Sequence, residues 1–235
     1  MLASKSIKMS KEQVSTFPNA DELLDRMRKM SEDESLWKKS KTDSGVDIFE
    51  GKVSTKYRQF RGVGYVDQPL ATMVSVVKDA EKRKQWNEQM MGNEVVEDIS
   101  EHVKVIHSKF NGGAASNRDF CVFYTDHLSD TEYIDAQTSI IHEKCPVMKG
   151  FVRATCLISG TRMIAESPTR TKVFYLGQVD LGGMVPSFVA NIVNMKQPLC
   201  IARMRDFAMK DAASSSSVPS SASTSPQEEK QNEEK

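Results

Sequence analysis

The chain has 235 residues and a mass of 26.3 kDa, enough for one large domain or two small ones without disulfide or metal staples. Its 32 basic and 32 acidic residues cancel; residues 211–235 hold five acids and two bases, a net of −3, which leaves +3 for residues 1–210. So small a surplus argues against a dedicated nucleic-acid binder, whose mark is a clearly basic face.

No run approaches the ~18 uninterrupted apolar residues that a membrane helix needs. Residues 1–15 carry lysines but no apolar segment of the secretory kind. Cys121, Cys145, Cys156 and Cys200 form no CxxC pair, so they read as small buried hydrophobes in a reducing, cytoplasmic setting.

The first element is an amphipathic helix. Ala20, Leu23, Leu24, Met27 and Met30 recur at helical spacing, with Asn19 placed to cap and Glu22 three residues on. Two strands follow, one around Val46, Asp47, Ile48 and Phe49 and one over residues 57–66. Pro69 opens a second helix whose buried face is Leu70, Met73, Val74 and Val77, and Asp79 caps a short third ending near Trp86. Strands are then expected over residues 93–99, 103–110, 119–127, 132–141, 147–158 and 172–180. The links between them are short and turn-like, which favours an antiparallel meander over βαβ crossovers. Leu181, Gly182 and Gly183 end the pattern. Pro186 begins a final helix rich in thin, adaptable side chains (Met184, Val189, Ala190, Ile192, Val193, Met195), which Pro198 should bend or interrupt. The fold class is α+β, helices grouped against one antiparallel sheet.

The last 24 residues hold eight serines and no aromatic, too polar to recover their ordering entropy, so 211–235 is expected to be a disordered acidic tail. Residues 1–18 are expected to be flexible. Ser225 and Pro226, followed by acids, could attract a kinase.

Catalytic patterns are sparse. There is no GxSxG and no HExxH, and Gly62-Val63-Gly64 lacks the further glycine and helix of a dinucleotide loop, so it reads as a strand glycine pair. His142 and Cys145 are three residues apart, but nothing makes four ligands converge on a metal. His107 beside Ser108 is the one pair worth weighing as a dyad, and neighbours on a strand point to opposite faces. Asn117-Arg118-Asp119 stands at the entrance of an apolar strand, where an Arg-Asp step satisfies turn carbonyls or pairs internally.

Seven short motifs in order resemble the START domain, the steroidogenic-acute-regulatory-related lipid transfer module. They are Trp37; Tyr57-Arg58-Gln59-Phe60-Arg61-Gly62; Arg83-Lys84-Gln85-Trp86-Asn87; Asn117-Arg118-Asp119-Phe120; Gly150-Phe151-Val152-Arg153; Val179-Asp180-Leu181-Gly182-Gly183; and Val185-Pro186. The match runs from about residue 20 to 209, within an expected lipid-binding domain of residues 19–210, and the texture is that of the small single-domain members typified by phosphatidylcholine transfer.

The resemblance implies a helix-grip fold: a curved antiparallel sheet wraps a hydrophobic tunnel, and the C-terminal helix lies across the mouth as a lid hinged at Gly182-Gly183. It implies a lipid site of Ser108, Phe120, Val122, Tyr124, Arg153, Met184, Phe188, Ile192 and Met195, with Arg118 and Asp119 as a structural motif. No catalytic group, metal or cofactor is implied. In sterol-binding members an acidic residue precedes the Arg-Asp motif and a basic one follows six residues after its arginine. Ser108 and Tyr124 fall at those places, so phospholipid is favoured slightly over sterol. The expected function is transfer of lipid between membranes, with transient membrane contact through Lys82-Arg83-Lys84 and the loop at 111–117. The alternatives are a lipid-dependent sensor for a protein partner and a helix-grip hydrolase.

Overall fold

The structure is a computed structural model that describes residues 17–53, 56–112 and 116–216. It opens with helix α1, Ala20–Glu32, capped by the Asn19 side chain, which accepts a hydrogen bond from the Glu22 amide at 3.1 Å. Strands β1 (Trp37–Asp43), β2 (Val46–Gly51) and β3 (Phe60–Val66) follow. β1 was not expected from the sequence. Apart from Trp37 none of its residues is buried, because it is an edge strand and shows no apolar alternation.

Two short helices come next, α2 (Leu70–Lys78) and α3 (Ala80–Trp86), the second capped by Asp79, whose carboxylate accepts from the Glu81 and Lys82 amides. Strands β4 (Met90–Ser100), β5 (Val103–Phe110), β6 (Asn117–Leu128), β7 (Glu132–Ser139), β8 (Phe151–Arg153), β9 (Thr155–Ser167) and β10 (Arg170–Asp180) complete the sheet. The expected strand over 147–158 is corrected. Residues 147–150 are irregular and end in a turn at Gly150, β8 is a three-residue strand parallel to β6, and β9 runs on to Ser167. Gly160 is a β9 position where a Cβ would stand 2.1 Å from the Asp135 carbonyl oxygen.

The path of the sheet is β1-β2-β3-β10-β9-β7-β6-β5-β4, antiparallel throughout, with β8 attached to β6 off that path. Register shifts in the β1–β2, β4–β5 and β9–β10 pairs are the bulges that let so wide a sheet curve. Side chains alternate between two cores. On one face α1 buries Leu23, Leu24, Met27 and Met30 against Phe123, Ile134, Ala136, Ile158 and Leu176. On the other, α2, α3 and the last helix cover Val46, Ile48, Tyr133, Met163 and Val173.

The C-terminal segment breaks where Pro198 predicts. Helix α4 (Ser187–Asn194) gives way to a single tight turn, Gln197–Leu199, and then to helix α5 (Cys200–Ser216). The glycine pair of β3 explains how this end seats. A Cβ at Gly62 would stand 2.7 Å from Pro198 Cβ, and one at Gly64 would stand 2.8 Å from Ile201 Cγ2. The tail expected to be disordered from 211 is helical as far as 216; the rest of it, with Ser225 and the N-terminal residues 1–16, lies outside the described residues.

Candidate functional site

Between α4 and the inner face of the sheet lies a cavity of about 300 Å³. Strand alternation, shifted once by the irregularity between Cys156 and Ile158 of β9, selects its walls. Ser108 and Phe110 come from β5, Arg118, Phe120 and Val122 from β6, Gln137 from β7, Cys156 and Ser159 from β9, and Tyr175 and Val179 from β10. Leu181, Val185, Val189 and Val193 close the mouth. By surface the lining is mainly apolar, yet polar side chains are spread through it: Asn87, Gln89, Asn111, Asn194 and Gln197 reach it beside Ser108, Arg118, Gln137 and Ser159. Burial pushes the Cys156 thiol up to about 12, so it stays neutral there. Tyr175 receives a hydrogen bond at 3.3 Å from the Ser159 hydroxyl.

Of the expected lipid-site residues, Ser108, Phe120 and Val122 face the cavity together. The Ser108 hydroxyl donates to Asn93 Oδ1. Tyr124 shares their face of β6 but lies outside the lining, its hydroxyl 3.0 Å from that of Tyr133 and 3.2 Å from Asp126. Ser108 stands opposite Phe120 in the β5–β6 register, so Tyr124 is four residues farther along, about 13 Å at the usual strand rise. The two hydroxyls therefore do not form a pair that grips one ligand atom.

Arg153 is corrected as well. It faces the other side of the sheet, where it clasps Asp119 through Nε at 3.1 Å and Nη2 at 2.8 Å and also donates to the Cys145 and Pro146 carbonyls. His107 completes the cluster at 2.8 Å from Asp119. Burial raises the Asp119 carboxyl, and the Arg153 and His107 partners outweigh it, leaving the group below the usual carboxylate range. Ser108 lies in the cavity wall and His107 on the opposite face with Asp119, an arrangement that makes no dyad.

The lid residues expected from the sequence lie mostly on the outer side of α4. Met184, Phe188 and Ile192 are 101, 67 and 51 % exposed, and Met195 packs against the neighbouring core. The cavity stripe is Val185, Val189 and Val193, at the same four-residue spacing on the other side. The segment carries two apolar stripes, and periodicity alone does not say which one faces inward. Arg118, expected to serve structure only, lines the cavity. The sequence also gave no site assignment to Phe110, Gln137, Cys156 and Tyr175, whose inward direction depends on register.

The lid's entry is fixed by two glycines with positive φ, +62° at Gly182 and +67° at Gly183. The Asp180 carboxylate accepts from the Gly182 amide at 2.9 Å within the loop that leaves β10, and Asn194 Nδ2 donates to the Val179 carbonyl at 2.8 Å, so α4 is tied to β10 at its C-terminal end. Among the described residues no group of three His, Cys, Asp or Glu side chains could hold a metal, and no helix is long and apolar enough to cross a membrane.

A single broad sheet, wrapped over a cavity that a broken C-terminal helix closes, is the helix-grip arrangement. Residues 19–210 match the START domain, and the chain belongs to that family. It is similar to the mitochondrial steroidogenic acute regulatory protein of Ovis aries, 26% identical over 193 residues, which are 78% of this chain and 67% of that protein. Among solved structures, human STARD10 superposes with a TM-score of 0.77 at 23% identity, covering 88% of this chain and 86% of that one. Human StAR-related lipid transfer protein 5 gives 0.74 at 22% identity, covering 82% and 96%.

Proposed function

We propose that this chain binds a lipid in the cavity beneath α4 and exchanges it between membranes without altering it chemically. The observation that carries this reading is the two-sided lid. Val185, Val189 and the partly exposed Val193 line the cavity, while Met184, Phe188 and Ile192 on the same segment face solvent. An exposed apolar stripe beside a partly open cavity suits a helix that touches a bilayer while the guest crosses. The energetic task fits such a cavity: each lipid methylene exposed to water costs about 0.8 kcal/mol, which an apolar enclosure largely cancels. At about 300 Å³ the cavity is at the small end of ligand sites, so a two-chain lipid requires the lid to move.

Phospholipid is favoured over sterol, because Ser108 and Tyr124 supply no charge pair and the charged group in the wall is Arg118. Four free, buried cysteines suit a reducing compartment, and the protein is proposed to act in the cytoplasm with transient membrane contact. Lys82 and Lys84 pair with Asp211 and Glu81, which leaves the lid stripe as the better membrane contact.

Native mass spectrometry of the purified chain should show bound lipid, and the protein should speed exchange between labelled and unlabelled liposomes. A chain that stays lipid-free in both assays refutes the reading.

A further inference from the structure

Three arginines in the described residues are less than a tenth exposed: Arg61, Arg118 and Arg162. Arg61 pairs with Glu34 at 2.6 Å, and Arg162 pairs with Glu132 at 2.5 Å and Glu32 at 2.8 Å. Arg118, 7 % exposed, has no carboxylate partner among the described residues. Its Nε donates to the Leu181 carbonyl at 3.2 Å and its Nη1 to the Ser116 carbonyl, while Nη2 has no hydrogen-bond partner there. An arginine cannot shed its proton, so this is a permanent cation in the wall of an apolar cavity. Burying an unpaired charge is strongly unfavourable, and neutral donors would satisfy the same two carbonyls without it. The charge becomes useful when an anion enters.

The surroundings fit that use. Arg118 sits at the end of the cavity where β5 and β6 meet the lid entry, opposite Phe110 in register and hydrogen-bonded to the residue before Gly182. Ser108, Asn87 and Gln89 line the cavity with it, and Phe120, Val122 and Cys156 continue the wall beyond them. A guest with a polar oxyanion at the Arg118 end and an apolar chain along Phe120 and Val122 would meet complementary groups throughout.

We infer that Arg118 is the head-group receptor and that the guest is an amphiphile with an oxyanion head, a lipid phosphate or a fatty carboxylate. This deepens the lipid-binding reading and rests on it. The guanidinium fork suits both heads, and the amphiphile's source is separated by experiment.

The test compares wild-type affinity within two matched pairs, lysophosphatidate against monooleoylglycerol and oleate against oleyl alcohol, by displacement of a fluorescent lipid. At least tenfold tighter binding of an anionic member is expected, and the pair that shows it names the head as phosphate or carboxylate. Arg118→Gln should collapse that ratio towards one; Arg118→Lys should keep part of it. Equal affinity within both pairs overturns the head-group assignment while lipid binding stands, whereas no binding by any of the four overturns lipid binding itself. Should the glutamine variant fail to fold, the wild-type ratios and their decline with added salt still decide.

Discussion

Arg118 and Asp119 are neighbours on β6 and serve opposite sides of the sheet, one in the cavity wall and one clasped by Arg153 and His107. The sequence made the pair legible as an interaction-rich step. It could not show that the two residues part company, because their partners sit on Leu181, 63 positions away, and on Arg153, 34 positions away. The carboxylates give the protein two opposed pH dependences. Asp119 is held below its ordinary range, so its stabilisation is present above about pH 4 and is lost as pH falls through the folded-state value. Asp119→Asn should cost about 3 kcal/mol, read by urea denaturation at pH 7, because it leaves the Arg153 and His107 cluster without its carboxylate. Asp135 has the opposite sign. Burial pushes its carboxyl up to about 6 despite the Arg83 charge and the Thr161 amide, so the folded state holds the proton more tightly than the unfolded chain. Stability from this group is greatest below about pH 4 and declines as pH rises to about 6. Asp135→Asn should raise stability at pH 7 by about 1–2 kcal/mol and flatten the profile between those values. No gain at pH 7 would exclude Asp135 as the titrating group.

At the scale of elements, the sequence reads well where one face is buried and poorly at edges and on two-sided helices. Helices α1 and α3 begin where Asn19 and Asp79 cap them, and β5 has its expected bounds, since burial and capping write themselves into local spacing. β1 escaped because an edge strand of Lys38, Lys39 and Lys41 resists pairing by being polar, and that polarity hides it as a strand. The lid is the instructive case. Its stripes are both apolar, and only tertiary contact assigns Val185, Val189 and Val193 to the cavity. Phe188→Asp should therefore leave folding and lipid content unchanged while reducing liposome association and exchange at least tenfold. Equal exchange would remove the outer stripe from the membrane contact. Gly182→Ala tests the hinge from within: φ of +62° and a Cβ 2.6 Å from the Arg153 carbonyl oxygen make alanine costly. The expected loss is about 2 kcal/mol or more, visible as a Tm lower by about 4–8 °C.

For the whole molecule, a guest that binds only the folded state must stabilise it. A lipid present at a hundred times its dissociation constant adds about 2.7 kcal/mol, so Tm should rise by about 5–10 °C over the stripped protein. The break at Pro198 also divides the C-terminal segment into parts of unequal firmness. α4 buries Ala190 and Asn194, while α5 sinks Cys200, Ile201, Ala202, Met204 and Ala208 into the core between β3 and α2. Detaching the first helix thus disturbs few buried groups and leaves the second anchored. Amide protons of residues 190–194 should trade with deuterated solvent well before those of 204–208, and a bound guest should slow the former alone. The proline kink thus acts as a mechanical fuse: it confines the breathing of the chain to one short helix, so the container can be emptied and refilled while the fold stays intact.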